Sequence, residues 1–155
     1  MENLKKLIEK RIKLKPWLIC GIILFFIAIV CLLVATPFMA KTNIVWVIIP
    51  IVALLLIGLI PYMVLDRIDS KISQTLAEIT KNKIFDFMGL KGFYYDEEVQ
   101  IEINCKRTQA VYLLEVFVKN ISADFIALAV SNVTKEICSE LKYTPHIKST
   151  ISKML

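Results

Sequence analysis

Charged residues are missing from two long stretches of the sequence. None occurs between Lys15 and Lys41, or between Lys41 and Asp66, which leaves uncharged runs of 25 and 24 residues. A helix needs about 20 apolar residues to cross the hydrocarbon core of a bilayer, so each run is long enough for one span. Neither run has the polar face that is typical of helices in soluble proteins. The sequence therefore predicts a hairpin of two transmembrane helices over residues 17–65.

Motifs of catalysis and metal binding are also missing. The chain has a single histidine, and its four cysteines show no spacing typical of a zinc site. It contains no glycine-rich nucleotide loop, no HExxH and no GxSxG pattern. The two runs also hold no Asp, Glu, Lys, Arg or His, the side chains that mark proton relays and ion paths within membranes. We expect no enzyme, no catalytic residue, no metal, no cofactor and no transporter.

The basic excess is concentrated at the N-terminus. The net charge is +5, and residues 1–16 contribute +4 of it through six basic and two acidic side chains. Lys41 adds one, and the 12 basic and 12 acidic side chains from Asp66 onward cancel. A neutral C-terminal region has no field for binding duplex nucleic acid. The positive-inside rule predicts that the N-terminus lies in the cytoplasm. Two spans return the C-terminus to the same side, so we expect a multi-pass protein of the inner membrane with both termini in the cytoplasm.

Residues 1–16 form a basic amphipathic segment before the first span. Leu4, Leu7, Ile8 and Ile12 share one helical face, and basic side chains occupy much of the remainder. This pattern is typical of an interfacial helix lying on the inner leaflet. A basic flank that only sets topology would have a similar composition. The pattern leaves both interpretations open.

Residues 66–155 are predicted to form a small cytoplasmic α+β domain with an antiparallel sheet. Span two continues into a charged helix from Asp66 to about Met88, which Gly89 ends as a C-cap. Its apolar side chains form a narrow stripe: Leu65, Ile68, Ile72, Leu76 and Ile79. Such a stripe is close to a coiled-coil seam, and it suits either self-association at a neck or packing onto the domain's own sheet.

Alternation of apolar and polar residues predicts two strands, Val99–Cys105 and Val111–Lys119, joined by a turn at Lys106-Arg107-Thr108. A hairpin loop at 120–124 follows. The apolar segment Phe125–Val130 is either a central strand or a buried helix.

Two helix-start signals come next. Ser131 or Asn132 can cap a helix that runs to about Lys142. Thr144 and Pro145 repeat the start signal. A last helix then places Ile147, Ile151 and Leu155 on one face.

Two places carry side chains suited to an anionic ligand that contains a base. One is the turn with Lys106 and Arg107. The other surrounds the predicted last helix start, where four side chains could donate to phosphate or stack on a base: Lys142, Tyr143, His146 and Lys148. The alternative interpretation of the second place is an ordinary capped turn with surface lysines.

The hairpin "PWLICGIILFFIAIVCLLVATPFMAKTNIVWVIIPIVALLLIGLIPYMVL" and the domain ending "VTKEICSELKYTPHIKSTISKML" together resemble the small two-pass membrane effectors of type III CRISPR defence. The resemblance covers the length, the span order and the domain size, and no diagnostic motif accompanies it. It implies a soluble tetramer that binds cyclic tetra-adenylate and then compromises the membrane. The alternative function is a membrane-anchored adaptor that binds a protein partner through its cytoplasmic domain.

Overall fold

The computed structural model places three helices and three strands in the part of the chain that it describes. That part comprises residues 1–35, 44–87, 89, 99–108, 111–141 and 145–154. In chain order the elements are α1 (Glu2–Ala35), α2 (Ile44–Phe87), β1 (Gln100–Thr108), β2 (Val111–Lys119), α3 (Ala123–Glu140) and β3 (His146–Lys153). They form two compact units: the sheet unit, Met1–Ile8 with Asp69–Leu155, and the hairpin unit, Glu9–Ile68. Each of the helices α1 and α2 therefore contributes to both units.

The hairpin unit consists of two helices that are long and apolar enough to span a membrane. Only 11% and 6% of their most apolar windows are buried. A core helix of a soluble protein would be mostly buried, whereas these helices expose large apolar side chains on most of their surface. The exposed side chains include Ile23, Phe26, Leu33, Leu56 and Ile60. The prediction of two apolar helices followed by a small α+β domain is confirmed at this level.

Two glycines set the contact between α1 and α2. A Cβ added at Gly21 would lie 2.8 Å from the carbonyl oxygen of Gly58, and one at Gly58 would lie 3.0 Å from the carbonyl oxygen of Gly21. Small residues at helix interfaces let backbones approach closely, which is how helices associate in lipid. Seven residues further along each helix, Ala28 and Ile51 are also buried. The contact therefore continues as a heptad seam along antiparallel helices.

The sheet has the order β1-β2-β3 and is mixed. β1 and β2 are antiparallel, with Thr108 opposite Val111, whereas β2 and β3 are parallel, with Val111 opposite His146. The two strands predicted from alternation are confirmed, and β2 has its predicted bounds. The prediction of an antiparallel sheet is wrong for the third strand. The predicted turn at Lys106-Arg107-Thr108 is also wrong, because these residues continue β1.

The segment after β2 is one helix, α3, which supplies the crossover that parallel strands require. Phe125–Val130 lies inside it, so the helical alternative for that segment is correct. Ser131 and Asn132 are interior residues of α3 and not its cap. Asn120 makes the turn before α3 with φ 59°, a left-handed conformation that asparagine tolerates. The predicted final helix is wrong as well: His146–Lys153 is β3.

The second half of α2 packs into the sheet unit. Ile72 and Leu76 are fully buried there, and Ser73 hydrogen-bonds the side chain of Cys105 on β1. The apolar stripe on this helix therefore serves the domain's own packing and is not available as a coiled-coil seam. Beyond α2, Gly89 has φ 66° and its N–H donates to the carbonyl oxygen of Asp86 at 3.2 Å, as predicted for a C-cap.

The first turns of α1 belong to the same sheet unit. Leu4 is completely buried and Ile8 is 8% exposed. These side chains are therefore not free to lie on lipid, as an interfacial helix would require. Pro16 lies within α1, so the N-terminal segment and the first span form one continuous helix.

Candidate functional site

The two faces of the sheet differ in exposure. On the inner face of β2, four side chains are buried: Tyr112, Leu114, Val116 and Val118. On the outer face, β2 presents half-buried side chains, and the flanking strands present exposed polar ones. The inner face therefore forms the core with α2 and α3, and the outer face is the open surface of the described sheet.

Three of the predicted ligand residues come together on this outer face. Lys106 lies opposite Leu113 across the β1–β2 pair, and Leu113 lies opposite Lys148 across the β2–β3 pair. His146 is two residues before Lys148 on the same face. Neighbouring strands lie about 4.8 Å apart, so the backbones of the two lysines are separated by roughly 10 Å. We name Lys106, His146 and Lys148 the basic cluster; all three are exposed.

One carboxylate lies beside the basic cluster. Glu115 on β2 forms an ion pair with Lys106, and the distance from Oε2 of Glu115 to Nζ of Lys106 is 3.4 Å. The Lys106 side chain is 71% exposed, so water screens the pair and it contributes little to stability. A phosphate group could therefore replace Glu115 as the partner of Lys106 at small cost.

Arg107 points to the opposite face of β1. It forms an ion pair with Asp69 on α2, and its guanidinium carbon lies 5.8 Å from the centre of the Tyr112 ring. The Tyr112 hydroxyl donates to Oδ1 of Asp69 at 3.3 Å. The side chains of Arg107 and Asp69 are only 20% and 12% exposed. This cluster ties the C-terminal half of α2 to β1 and β2 from inside the domain.

The sequence alone gives little reason to predict a functional role for Asp69 or Tyr112. Alternation places Tyr112 on the buried face of β2, but nothing in the pattern pairs it with a charge. Asp69 follows Ile68 of the apolar stripe by one position, and a carboxylate beside a buried stripe is the only signal that could have marked it.

Among the described residues, Arg107 is the other predicted ligand residue, and it faces away from the basic cluster. Lys142 and Tyr143 lie outside the described residues. His146 and Lys148 do not surround a helix N-terminus, because β3 occupies the place of the predicted helix. The phosphate site based on a helix terminus is therefore wrong, and only a strand-based arrangement is left for these residues.

The two cysteines of the sheet unit are poor nucleophiles. Burial raises the pKa of the Cys105 thiol to about 11, opposed by the hydrogen bond from Ser73. Burial also raises the pKa of Cys138. Only the thiolate attacks electrophiles, so neither side chain is activated at neutral pH.

A second polar site lies away from the sheet face, in a groove of about 330 Å³ between the first turns of α1 and the helix α2. Its lining consists of Asn3, Lys6, Leu7, Lys71, Gln74 and Thr75. We name it the α1–α2 groove.

No protein-family model, no curated protein and no solved structure matches the chain significantly.

Proposed function

We propose that this chain is a membrane effector of antiviral defence. Its cytoplasmic domain binds a cyclic oligoadenylate at the basic cluster, and binding acts through α2 to compromise the membrane. One observation supports this coupling above all. Lys106 and Arg107 are neighbours on β1, yet the first faces the open surface and the second holds Asp69 on α2. A ligand that moves Lys106 therefore acts on the strand segment to which α2 is attached.

The helix α2 is suited to transmit such a movement. It runs without a break from Ile44 to Phe87, so the second span and the helix that carries Asp69 are one element. The spans contain no Asp, Glu, Lys, Arg or His, and a lumen built from several hairpins would be apolar. Such a constriction conducts or closes according to whether water enters it. Small movements of α2 would shift that balance.

The proposed orientation in the membrane is supported by charge and by aromatic side chains. Gly21 lies against Gly58, so Trp17 and Tyr62, four residues away along each antiparallel helix, lie at one level. They are 66% and 63% exposed. Exposed Trp and Tyr belong at the membrane–water interface. The six basic residues before Trp17 support the proposal that this interface is the cytoplasmic one and that both termini are in the cytoplasm.

A homo-oligomer, with a tetramer favoured, would complete the binding site. One basic cluster is open and offers two lysines and a histidine, too few to enclose a ring of nucleotides. Four copies around an axis would present eight lysines to a ring with four phosphates. The ring size would then follow from the number of subunits.

The proposed function is tested with the full chain, because Leu4 and Ile8 are buried in the sheet unit. Isothermal titration in lipid nanodiscs would measure binding of cyclic tri-, tetra- and hexa-adenylate, and dye release from liposomes would measure the effect. We expect binding and leakage with cyclic tetra-adenylate. Affinity should fall about a hundredfold in the double variant Lys106→Gln, Lys148→Gln, because charge-assisted hydrogen bonds to phosphate are lost.

Lys119→Gln is the matched control, because Lys119 is an exposed lysine at the opposite end of β2. A second variant, Tyr112→Phe, removes one hydrogen bond to Asp69. We expect it to bind cyclic tetra-adenylate normally and to release less dye from liposomes. Absence of heat with every ring size would contradict the nucleotide part of the proposal.

An adaptor function is the second candidate. Phe125 and Leu128, one turn apart on α3, are 46% and 57% exposed. Large exposed apolar side chains outside the membrane spans favour a protein contact. Chemical crosslinking in native membranes distinguishes the two functions: a homo-oligomer ladder supports the effector, and a single heterologous adduct that Leu128→Ser abolishes supports the adaptor.

A further inference from the structure

The α1–α2 groove is built from two helical ridges that face each other. On α1 the lining residues Asn3, Lys6 and Leu7 follow the i, i+3, i+4 spacing of one helix face. On α2 the residues Lys71, Gln74 and Thr75 repeat this spacing. Both ridges belong to the sheet unit. The groove is therefore a feature of one compact body.

Buried apolar side chains lie on the same two helices, next to the lining residues. On α1 they are Leu4 and Ile8, and on α2 they are Ile72 and Leu76; none is more than 8% exposed. Their packing holds the two ridges in place, so the groove exists before any ligand arrives. A site that is already formed binds without the entropic cost of ordering its walls.

The lining is rich in donors and carries no carboxylate. Lys6 and Lys71 bring two positive charges from opposite walls, and Asn3, Gln74 and Thr75 add amide and hydroxyl groups. Among the described residues, Lys71 has no ion-pair partner. Lys6 is bound to Glu2 at 2.6 Å, but the two side chains are 70% and 79% exposed, and such a pair is readily exchanged.

We propose that the α1–α2 groove binds a small phosphate-bearing anion that bridges Lys6 on α1 and Lys71 on α2. A phosphate group offers several acceptor oxygens, which match two ammonium groups and nearby amides. The anion would tie together the two helix segments that are continuous with the spans, residues 3–7 of α1 and residues 71–75 of α2. This site is separate from the basic cluster and does not depend on the proposed function.

The phosphate can come from a soluble phosphorylated compound or from the head group of an anionic lipid. The experiment separates these sources with the full chain in two kinds of nanodisc. In discs of phosphatidylcholine, inorganic pyrophosphate is titrated and its affinity is measured by calorimetry. In discs that contain phosphatidylglycerol, without pyrophosphate, the thermal midpoint Tm is measured and compared with the Tm in discs of phosphatidylcholine.

We expect the double variant Lys6→Gln, Lys71→Gln to bind pyrophosphate at least about tenfold more weakly, because two charge-assisted contacts are lost. In the lipid arm we expect the same variant to lose the rise in Tm. Both lysines are exposed, so the substitutions leave the buried packing intact. Lys119→Gln, which removes an exposed lysine outside both sites, should respond like the unchanged chain. Pyrophosphate binding would assign a soluble ligand, and a Tm rise with phosphatidylglycerol alone would assign a lipid.

Equal responses of the unchanged chain and the groove variant, in both arms, would overturn the proposal. Loss of the response in Lys119→Gln as well would also overturn it, because it would show a general charge effect. Failure of cyclic oligoadenylate binding in the earlier experiment has no bearing on this result, because a different pair of lysines is changed.

Discussion

Individual residues decide how α2 is fixed to the sheet. Asp69 and Arg107 lie largely out of water, where a charge without its partner is costly. The Tyr112 hydroxyl shares the carboxylate, so three side chains from α2, β1 and β2 must take their positions together. This cluster specifies where α2 lies on the sheet more than it adds net stability.

Removing the charge of Asp69 should strongly destabilise the sheet unit. For Asp69→Asn we expect a loss of about 3–5 kcal/mol in the free energy of unfolding, because Arg107 is left buried without its counter-charge. Denaturant unfolding of the full chain in detergent measures the change. Asp66→Asn is the control, because Asp66 is exposed on the same helix; an equal loss in both variants would contradict the buried-pair explanation.

Cys105 should react slowly with alkylating reagents. With its pKa raised to about 11, the thiolate fraction at pH 8 is roughly one hundredfold lower than that of a thiol at the ordinary value of 9.0. The raised pKa means that the folded state favours the thiol, so reactivity should increase as the pH rises toward 11. Iodoacetamide labelling of a variant with Cys105 as the only cysteine, followed by mass spectrometry, measures the rate. A rate at pH 8 equal to that of free cysteine would contradict the burial.

At the scale of elements, the hairpin is held by one close approach of two helices. A Cβ at Gly21 would lie 2.8 Å from the carbonyl oxygen of Gly58. No side-chain rotamer change can relieve this clash, because the opposing atom belongs to the main chain. Larger side chains must therefore separate the helices.

Gly21→Leu should disrupt the seam between α1 and α2. Cysteines introduced at Ala28 and Ile51, which share one level of the seam, should form a disulfide readily in a chain without other cysteines. We expect Gly21→Leu to reduce this crosslink several-fold in membranes, as seen by gel mobility after oxidation. Phe26→Leu, on the exposed side of α1, should leave the yield unchanged; unchanged crosslinking in Gly21→Leu would refute the seam.

The first turns of α1 are expected to stabilise the sheet unit. Leu4→Ala should lower its free energy of unfolding by about 2–5 kcal/mol, the usual cost of truncating a fully buried leucine. Lys5→Ala, at the neighbouring exposed position, should change it by less than about 0.5 kcal/mol. Denaturant unfolding of both variants tests this, and equal stability would show that the N-terminal segment is not part of the domain core.

The strand β3 shows a limit of local sequence patterns. Ile147, Ile151 and Leu155 are spaced by four residues, and that spacing fits one face of a helix and also one face of a strand. Thr144 and Pro145 then decided the interpretation wrongly in favour of a helix. β-branched Ile147, Thr150 and Ile151 favour the strand, but a parallel edge strand needs its neighbour β2, which no local pattern supplies.

For α3 the sequence held a usable signal. Ile126, Val130, Val133 and Ile137 recur at helical spacing, and all are buried. Taken alone, the apolar segment Phe125–Val130 could be either a strand or a helix. The helical periodicity continues through Val133 and Ile137, which favours one helix over the segment and the residues after it.

At the scale of the whole molecule, the sheet unit is assembled from both ends of the chain. Met1–Ile8 and Asp69–Leu155 fold together, although the hairpin separates them in sequence. Both pieces must therefore lie on the same side of any membrane that the hairpin crosses. This requirement agrees with an even number of spans.

The proposed topology can be measured directly. A cysteine at Lys41 should react with a membrane-impermeant maleimide from outside intact spheroplasts, whereas one at Lys153, exposed on β3, should react only after permeabilisation. Other cysteines are removed first. Labelling of Lys153→Cys in intact spheroplasts would reverse the orientation.

The sequence by itself determined the two apolar helices, the continuation of the second into a charged helix, and the first two strands. These features depend on local quantities, namely uninterrupted apolar length, residue periodicity and the charge on either side of a run. Tertiary structure decided the parallel third strand, the burial of Leu4 and Ile8, the contact of Gly21 with Gly58, and the pairing of Asp69 with Arg107. Each of these joins residues far apart in sequence, and which distant surfaces meet depends on how all the elements pack at once.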